Sequence, residues 1–291
     1  MVKIIDEIKS EVEKLVEEGT EINVRVVEKN NGVNLTGMSI CKTGQAVAPT
    51  VYIDEFVERI EEGTETPASV AEQIVRAYEN SDNKLPANLM DYINKECILG
   101  NVKYSVVNKE KNSSKLENIP SIDFMDLAIV FRYEMTFEDE VGSILINNGL
   151  MKQYDISFEE LDEAAKKNTE KAGFVVKSMA QVLGGFFDME ENDAEELDAG
   201  MYMLSNKTNV NGATVMLYGE YFERLAEKLK DDLYILPSSI HEVLALPASI
   251  GEVESLRDMV NSVNETELRE EEYLSGSVYV WDRAEKTLKI A

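Results

Sequence analysis

The apolar residues of this chain keep two different periods, and the order in which the periods alternate limits the fold more than any single motif does. Ile4, Ile5, Ile8, Val12, Leu15 and Val16 recur at helical spacing with acids and lysines between them, and Gly19 closes that stretch. The period then drops to two in Glu21-Ile-Asn-Val-Arg-Val-Val, which puts Ile22, Val24 and Val26 on one face of a strand. Asn30-Asn-Gly supplies the positive-φ positions of a hairpin turn, and a return strand follows from Val33 to Cys41. A third strand, 49–53, a short acidic helix ending near Gly63, and a helix capped by Thr66-Pro67 come next. A further helix is predicted over Ala87 to Leu99.

From Val102 the signal turns strand-rich. Strands are predicted over 103–108, over 125–133 in a central position, and over 142–146. Ser157-Phe-Glu-Glu160 is a capping box that opens a helix expected to end at Asn168-Thr169. A strand near 201–205, a helix through Phe222 to Leu229, a strand pair 233–236 and 242–246, a helix through Val253 to Val263, and a closing hairpin at 277–281 and 287–290 complete the pattern. Strands come in blocks rather than in strict alternation with helices. That order predicts an α+β fold, with mixed, mainly antiparallel sheets and helices packed on one face. At 291 residues the chain is long enough for two closely packed lobes, residues 1–100 and 101–291.

Charge constrains the partners. The sequence holds 56 Asp+Glu against 29 Lys+Arg, a formal net charge of -27, and such a field repels phosphate backbones and anionic headgroups. Neither nucleic acid nor a membrane surface is expected as a partner; a basic protein is. Seven of the carboxylates fall between Asp188 and Asp198, a run read as an exposed loop. It lacks the Gly and Glu that a calcium loop needs at its sixth and twelfth positions, where Asp193 and Ala199 stand. Two cysteines, Cys41 and Cys97, are too few for a disulfide scaffold, the opening Met1-Val-Lys-Ile-Ile-Asp-Glu lacks the apolar core of a signal peptide, and no run approaches the length of a membrane span. A cytoplasmic location is therefore expected.

The residue types present exclude several chemistries. One histidine and two distant cysteines do not make a zinc site, and no metal or cofactor is expected. No phosphate-binding glycine loop, dinucleotide fingerprint or nucleophile elbow occurs. One segment does gather reactive groups: Leu236-Pro-Ser-Ser-Ile-His-Glu242 places Ser238, Ser239, the sole imidazole His241 and Glu242 at a turn between two apolar strands. As a site, His241 would act as general base toward a serine. As architecture, Pro and Ser are turn residues whose hydroxyls satisfy exposed backbone groups, and His241 would lie on a strand with Glu242 on its opposite face. Asn168, Asn206 and Asn264 are candidates for lining a cleft with amides, or for capping helix ends and turns.

The segments Asn30 to Gly37, Ala48 to Ile53, Asp126 to Phe131, Lys167 to Thr169, Met201 to Asn206, Asp232 to Val243, Val263 to Thr266 and Leu274 to Tyr279 together resemble an uncharacterised family of unknown function from gut-dwelling Gram-positive anaerobic bacteria. The resemblance covers nearly the whole chain and is most specific at Leu-Pro-Ser-Ser-Ile-His-Glu. It implies a bacterial cytoplasmic protein and carries over no catalytic residue. The functional expectation is a non-enzymatic binding or regulatory protein that engages a basic partner. Alternatives are a hydrolase or transferase at the Ser238–His241 turn, and a nucleic-acid mimic.

Overall fold

The first helix, α1 (Val2–Leu15), buries the stripe its period predicts, with Ile8 and Val12 fully enclosed. The computed structural model describes residues 2–42, 48–82, 92–137, 140–182 and 200–291. The acidic run Asp188 to Asp198 lies outside the described residues. The chain forms two compact units, residues 1–97 with 134–143, and residues 98–133 with 144–291.

In the first unit β1 (Glu21–Glu28), β2 (Asn34–Cys41) and β3 (Thr50–Tyr52) form an antiparallel sheet in that order. The predicted turn is present: Asn31 and Gly32 both adopt positive φ, 59° and 72°, where a β-branched residue would be strained. Two helices follow, α2 (Asp54–Glu61) and α3 (Pro67–Asp82), the latter capped by the Thr66 hydroxyl, which accepts from the Ser69 N–H. One core joins Ile8 and Val12 of α1, Ile22 of β1, Met38 and Ile40 of β2, and Val70 and Ile74 of α3. That core includes Val24 but stops short of Val26, which is 68% exposed although the alternation puts it on the inner face. The helix predicted from Ala87 begins, among the described residues, only at Lys95: Asn94 accepts from the Cys97 N–H and caps α4 (Lys95–Asn101).

The second unit carries two sheets. In the smaller, β6 (Leu127–Phe137) is central as predicted, between β4 (Val102–Asn108) and β5 (Ser121–Phe124), and also pairs with β7 (Glu140–Leu145); residues 134–143, the end of β6 and the start of β7, count with the first unit. Helix α5 (Ser113–Leu116) precedes β5, and α6 (Asn148–Gln153) follows β7. Helix α7 (Phe158–Ala172) opens on the complete capping box of Ser157 and Glu160. It does not stop at Asn168-Thr169 but continues to Gly173, whose φ of 68° ends it, because Thr169 is buried and its hydroxyl bonds back to the Ala165 carbonyl.

The larger sheet runs β13 (Thr287–Ile290), β12 (Tyr279–Asp282), β10 (Leu233–Pro237), β11 (Val243–Pro247), β9 (Tyr202–Asn206), β8 (Phe174–Ser178). All its pairings are antiparallel. Its central strands β10, β11 and β9 are covered on both faces, whereas β13 and β8 keep exposed positions. Leu233, Ile235, Val243, Ala245, Tyr279 and Trp281 join Phe222 and Leu225 of α8 (Gly219–Leu229) in one core. Leu236, Leu246 and Val278 meet Leu256 and Val260 of α9 (Val253–Thr266) in another. The α+β class holds, but this sheet carries a helix on each face instead of on one. The near-continuous apolar runs in β10 and β11 are the local trace of that two-sided burial.

Candidate functional site

The turn between β10 and β11 is held from both sides. Ser239, 3% exposed, donates its hydroxyl to Glu242 Oε1 at 2.9 Å and accepts the His241 backbone N–H at 2.9 Å. The Ser239 N–H reaches the Glu242 carbonyl at 3.2 Å, and the Ile240 N–H reaches the Glu272 carbonyl at 2.9 Å. Residues 238–242 thus form a closed loop, with strand structure resuming only at Val243. His241 and Glu242 therefore lie in the turn and not on opposite faces of a strand.

His241 points its ring elsewhere. Its Nδ1 accepts the Asn211 backbone N–H at 3.2 Å, which leaves the ring proton on Nε2, 3.7 Å from Glu272 Oε1. Its carbonyl accepts the Ser205 hydroxyl at 2.7 Å. Gly212 is packed so closely behind the turn that a Cβ there would collide with Ser205 Oγ, the His241 carbonyl oxygen and Asn206 N. The hydroxyl of Ser239 is spent on Glu242, not on the imidazole. Ser238 is partly buried beside it.

The asparagines act as braces. Asn168 donates to the Leu99 and Val102 carbonyls at 3.0 and 2.9 Å, fastening α7 to the junction of α4 and β4. Asn206 Oδ1 accepts the Thr208 N–H, the Thr208 hydroxyl and the Val210 N–H, while its amide donates to the Val210 carbonyl. Asn264 donates to the Ser275 carbonyl at 3.2 Å. Each serves a helix end or turn, and none of the three reaches another.

A second constellation escapes the sequence. Asp126, at the tip between β5 and β6, accepts three hydroxyls: Ser275 at 2.6 Å and Ser277 at 3.0 Å on Oδ2, and Tyr279 at 2.6 Å on Oδ1. Ser275 Oγ in turn accepts the Ser277 N–H at 2.9 Å. Tyr279 is fully buried, and burial followed by its bond to Asp126 pushes the phenol well above its ordinary pKa. It is a neutral donor. Residues 275, 277 and 279 are spaced by two, the spacing of same-face residues on an extended chain, so their hydroxyl period was visible; its acceptor was not. The cluster walls a cleft of about 630 Å³ together with Asn108, Lys109 and Tyr273. Lys109 in its lining is engaged by Asp123 at 2.9 Å, and Lys111, over the Tyr273 ring, by Glu270 at 3.3 Å.

These contacts bring distant segments together. Asp126 meets 275–279, Asn264 meets Ser275, and Ser205 meets His241. A protein-family model matches residues 2–283, under the description family of unknown function (DUF5688). The chain belongs to this family. No curated protein matches this DUF5688 member, and no solved structure does. Among its described residues, no helix is long and apolar enough to cross a membrane.

Proposed function

We propose that this protein is a non-enzymatic cytoplasmic binding protein of a gut-dwelling Gram-positive anaerobe, and that it takes a basic protein segment along the edge where the 238–242 turn meets residues 270–272. The observation that carries the reading is the disposition of the turn. The Ser239 hydroxyl and the Nδ1 acceptor of His241 are both committed to internal partners. The carboxylates that receive them are partly exposed: Glu242, which takes the Ser239 hydroxyl on Oε1, and Glu272, 3.7 Å from His241 Nε2. Glu270 and Glu271 extend the same acidic edge. A net charge of -27 would steer a cationic segment toward it, accelerating encounter more than it deepens affinity.

The test uses a nine-residue oligoarginine peptide, titrated in 50 and 200 mM salt against wild type, a variant carrying Glu242→Gln, Glu270→Gln, Glu271→Gln and Glu272→Gln, and a variant carrying Asp6→Asn, Glu7→Gln, Glu11→Gln and Glu13→Gln on α1 instead. Binding that weakens about tenfold or more in the turn variant and little in the α1 variant supports the reading. Equal loss in both variants reduces it to nonspecific attraction. Covalent labelling of Ser239 by a serine-directed fluorophosphonate would overturn it in favour of hydrolase chemistry.

A further inference from the structure

Away from the turn, the second unit holds a cleft of about 430 Å³ between helix α8 and the β8–β9 edge of the large sheet. That volume lies in the range of small-molecule sites. Its lining is unusual for this protein because, among the described residues, its ionic side chains are cations. Arg224 and Lys228 stand four residues apart on one face of α8, opposite the buried Phe222, and both line the cleft. Neither makes an ion pair among the described residues, in a chain where carboxylates outnumber cations 56 to 29. Glu223 on the same helix is taken by Lys286 instead.

The cations rest on aromatic neighbours. Lys228 Nζ donates to the Tyr202 phenol at 3.3 Å and lies 4.9 Å from that ring's centroid, and the Arg224 guanidinium lies 5.9 Å from the Tyr221 ring. Neutral phenols and ring faces hold the cations in place without cancelling their charge. The opposite wall adds donors. Ser178 and Gln181 bond reciprocally: Ser178 Oγ accepts the Gln181 N–H, and Gln181 Oε1 accepts the Ser178 N–H. Each side-chain oxygen thereby accepts one internal bond, and the serine O–H and the amide N–H₂ remain to donate. Two charged and two neutral donor groups converge on one cavity whose remaining wall includes the apolar Val176 and Leu225.

We propose that this cleft binds a small organic anion, a phosphate or carboxylate borne on a compact apolar or planar body, with Arg224, Lys228, Gln181 and Ser178 on the anionic oxygens and Tyr221 and Val176 against the body. The net negative field does not forbid it. At physiological salt a charge beyond ~8 Å is largely screened, so the two adjacent cations dominate what a ligand in the cleft feels. This site is separate from the proposed acidic edge, and either can fail without the other.

Isothermal titration of the full chain with phenyl phosphate, phenylacetate, benzyl alcohol and inorganic phosphate tests it. At least one of the two aromatic anions binds, about tenfold or more tighter than benzyl alcohol and than inorganic phosphate. Preference between the two assigns the anionic group. Arg224→Gln with Lys228→Gln removes that advantage over benzyl alcohol, whereas Lys166→Gln with Lys167→Gln on α7 leaves it intact. Tyr221→Leu weakens the aromatic anion while leaving inorganic phosphate unchanged. Both cationic side chains are exposed, so the double variant keeps the wild-type far-ultraviolet spectrum. The proposal is overturned if neither aromatic anion exceeds benzyl alcohol, or if the Arg224/Lys228 variant binds as wild type does.

Discussion

Asp126 carries more structural responsibility than any other single carboxylate described above, because the partners it satisfies are themselves buried. Ser275 is 1% exposed and Tyr279 fully enclosed, so losing their acceptor leaves hydroxyls with nowhere to turn. Asp126→Ala should lower unfolding free energy by about 3 kcal/mol or more, and Asp126→Asn, which keeps one acceptor oxygen, by roughly half of that, both read from urea midpoints. The tyrosines give a pH signature. Tyr104, Tyr218 and Tyr279 are all raised above the ordinary phenol value, chiefly by burial. In the unfolded chain these phenols ionise near pH ~10, whereas folded they stay neutral to higher pH. Stability is therefore full below about pH 10 and falls as pH rises further, since only the unfolded state sheds those protons. Urea midpoints at stepped pH should show that fall, and native absorbance at 295 nm should report fewer phenolates than the denatured chain at the same pH. At Gly212 even one methyl is too much: Gly212→Ala, aimed at Ser205 and the His241 carbonyl, should cost about 2–4 kcal/mol and disturb the turn.

At the scale of elements, local chemistry announced most of what formed. The Ser157–Glu160 box is complete, and Ser157→Ala should destabilise by about 1 kcal/mol, a change that thermal unfolding resolves. Asn31-Gly32 adopts the positive φ that the hairpin demands. Misplaced boundaries have specific causes. Asn168 and Thr169 look like helix-ending residues, but tertiary partners absorb them: Asn168 reaches Leu99 and Val102, and Thr169 Oγ1 accepts the Tyr104 N–H while bonding its own helix. Strands β5 and β8 are short, four and five residues, with little alternation to read. The site was legible in part for the same reason. A turn at Pro237 to Glu242 could be read from Pro and Ser chemistry, but the direction of the Ser239 hydroxyl depends on Glu242 folding back over it.

For the whole molecule, charge is the dominant number. A net of -27 means the folded chain repels itself, and salt relieves that repulsion. The melting temperature should therefore rise as sodium chloride increases from 20 to about 300 mM, by roughly a few degrees, measured calorimetrically. A protein held mainly by exposed ion pairs would instead weaken. The described ion pairs, such as Lys3–Glu7 and Arg76–Glu72, are mostly solvent-facing and offset little of the excess.

The amino-acid sequence by itself determined what acts over a few residues: the two hydrophobic periods, the capping box, the Asn-Gly turn, the α+β order of elements and the sign of the field. Tertiary structure alone decided which groups meet. Asp126 finds Ser275 and Tyr279 across 149 and 153 positions, Ser105 finds Asn211 across 106, and Lys228 finds Tyr202 across a strand and a helix. Helix and strand periods reach only one turn or one pleat. Such pairings depend on strand order and register, which are set when both faces of a sheet are buried together.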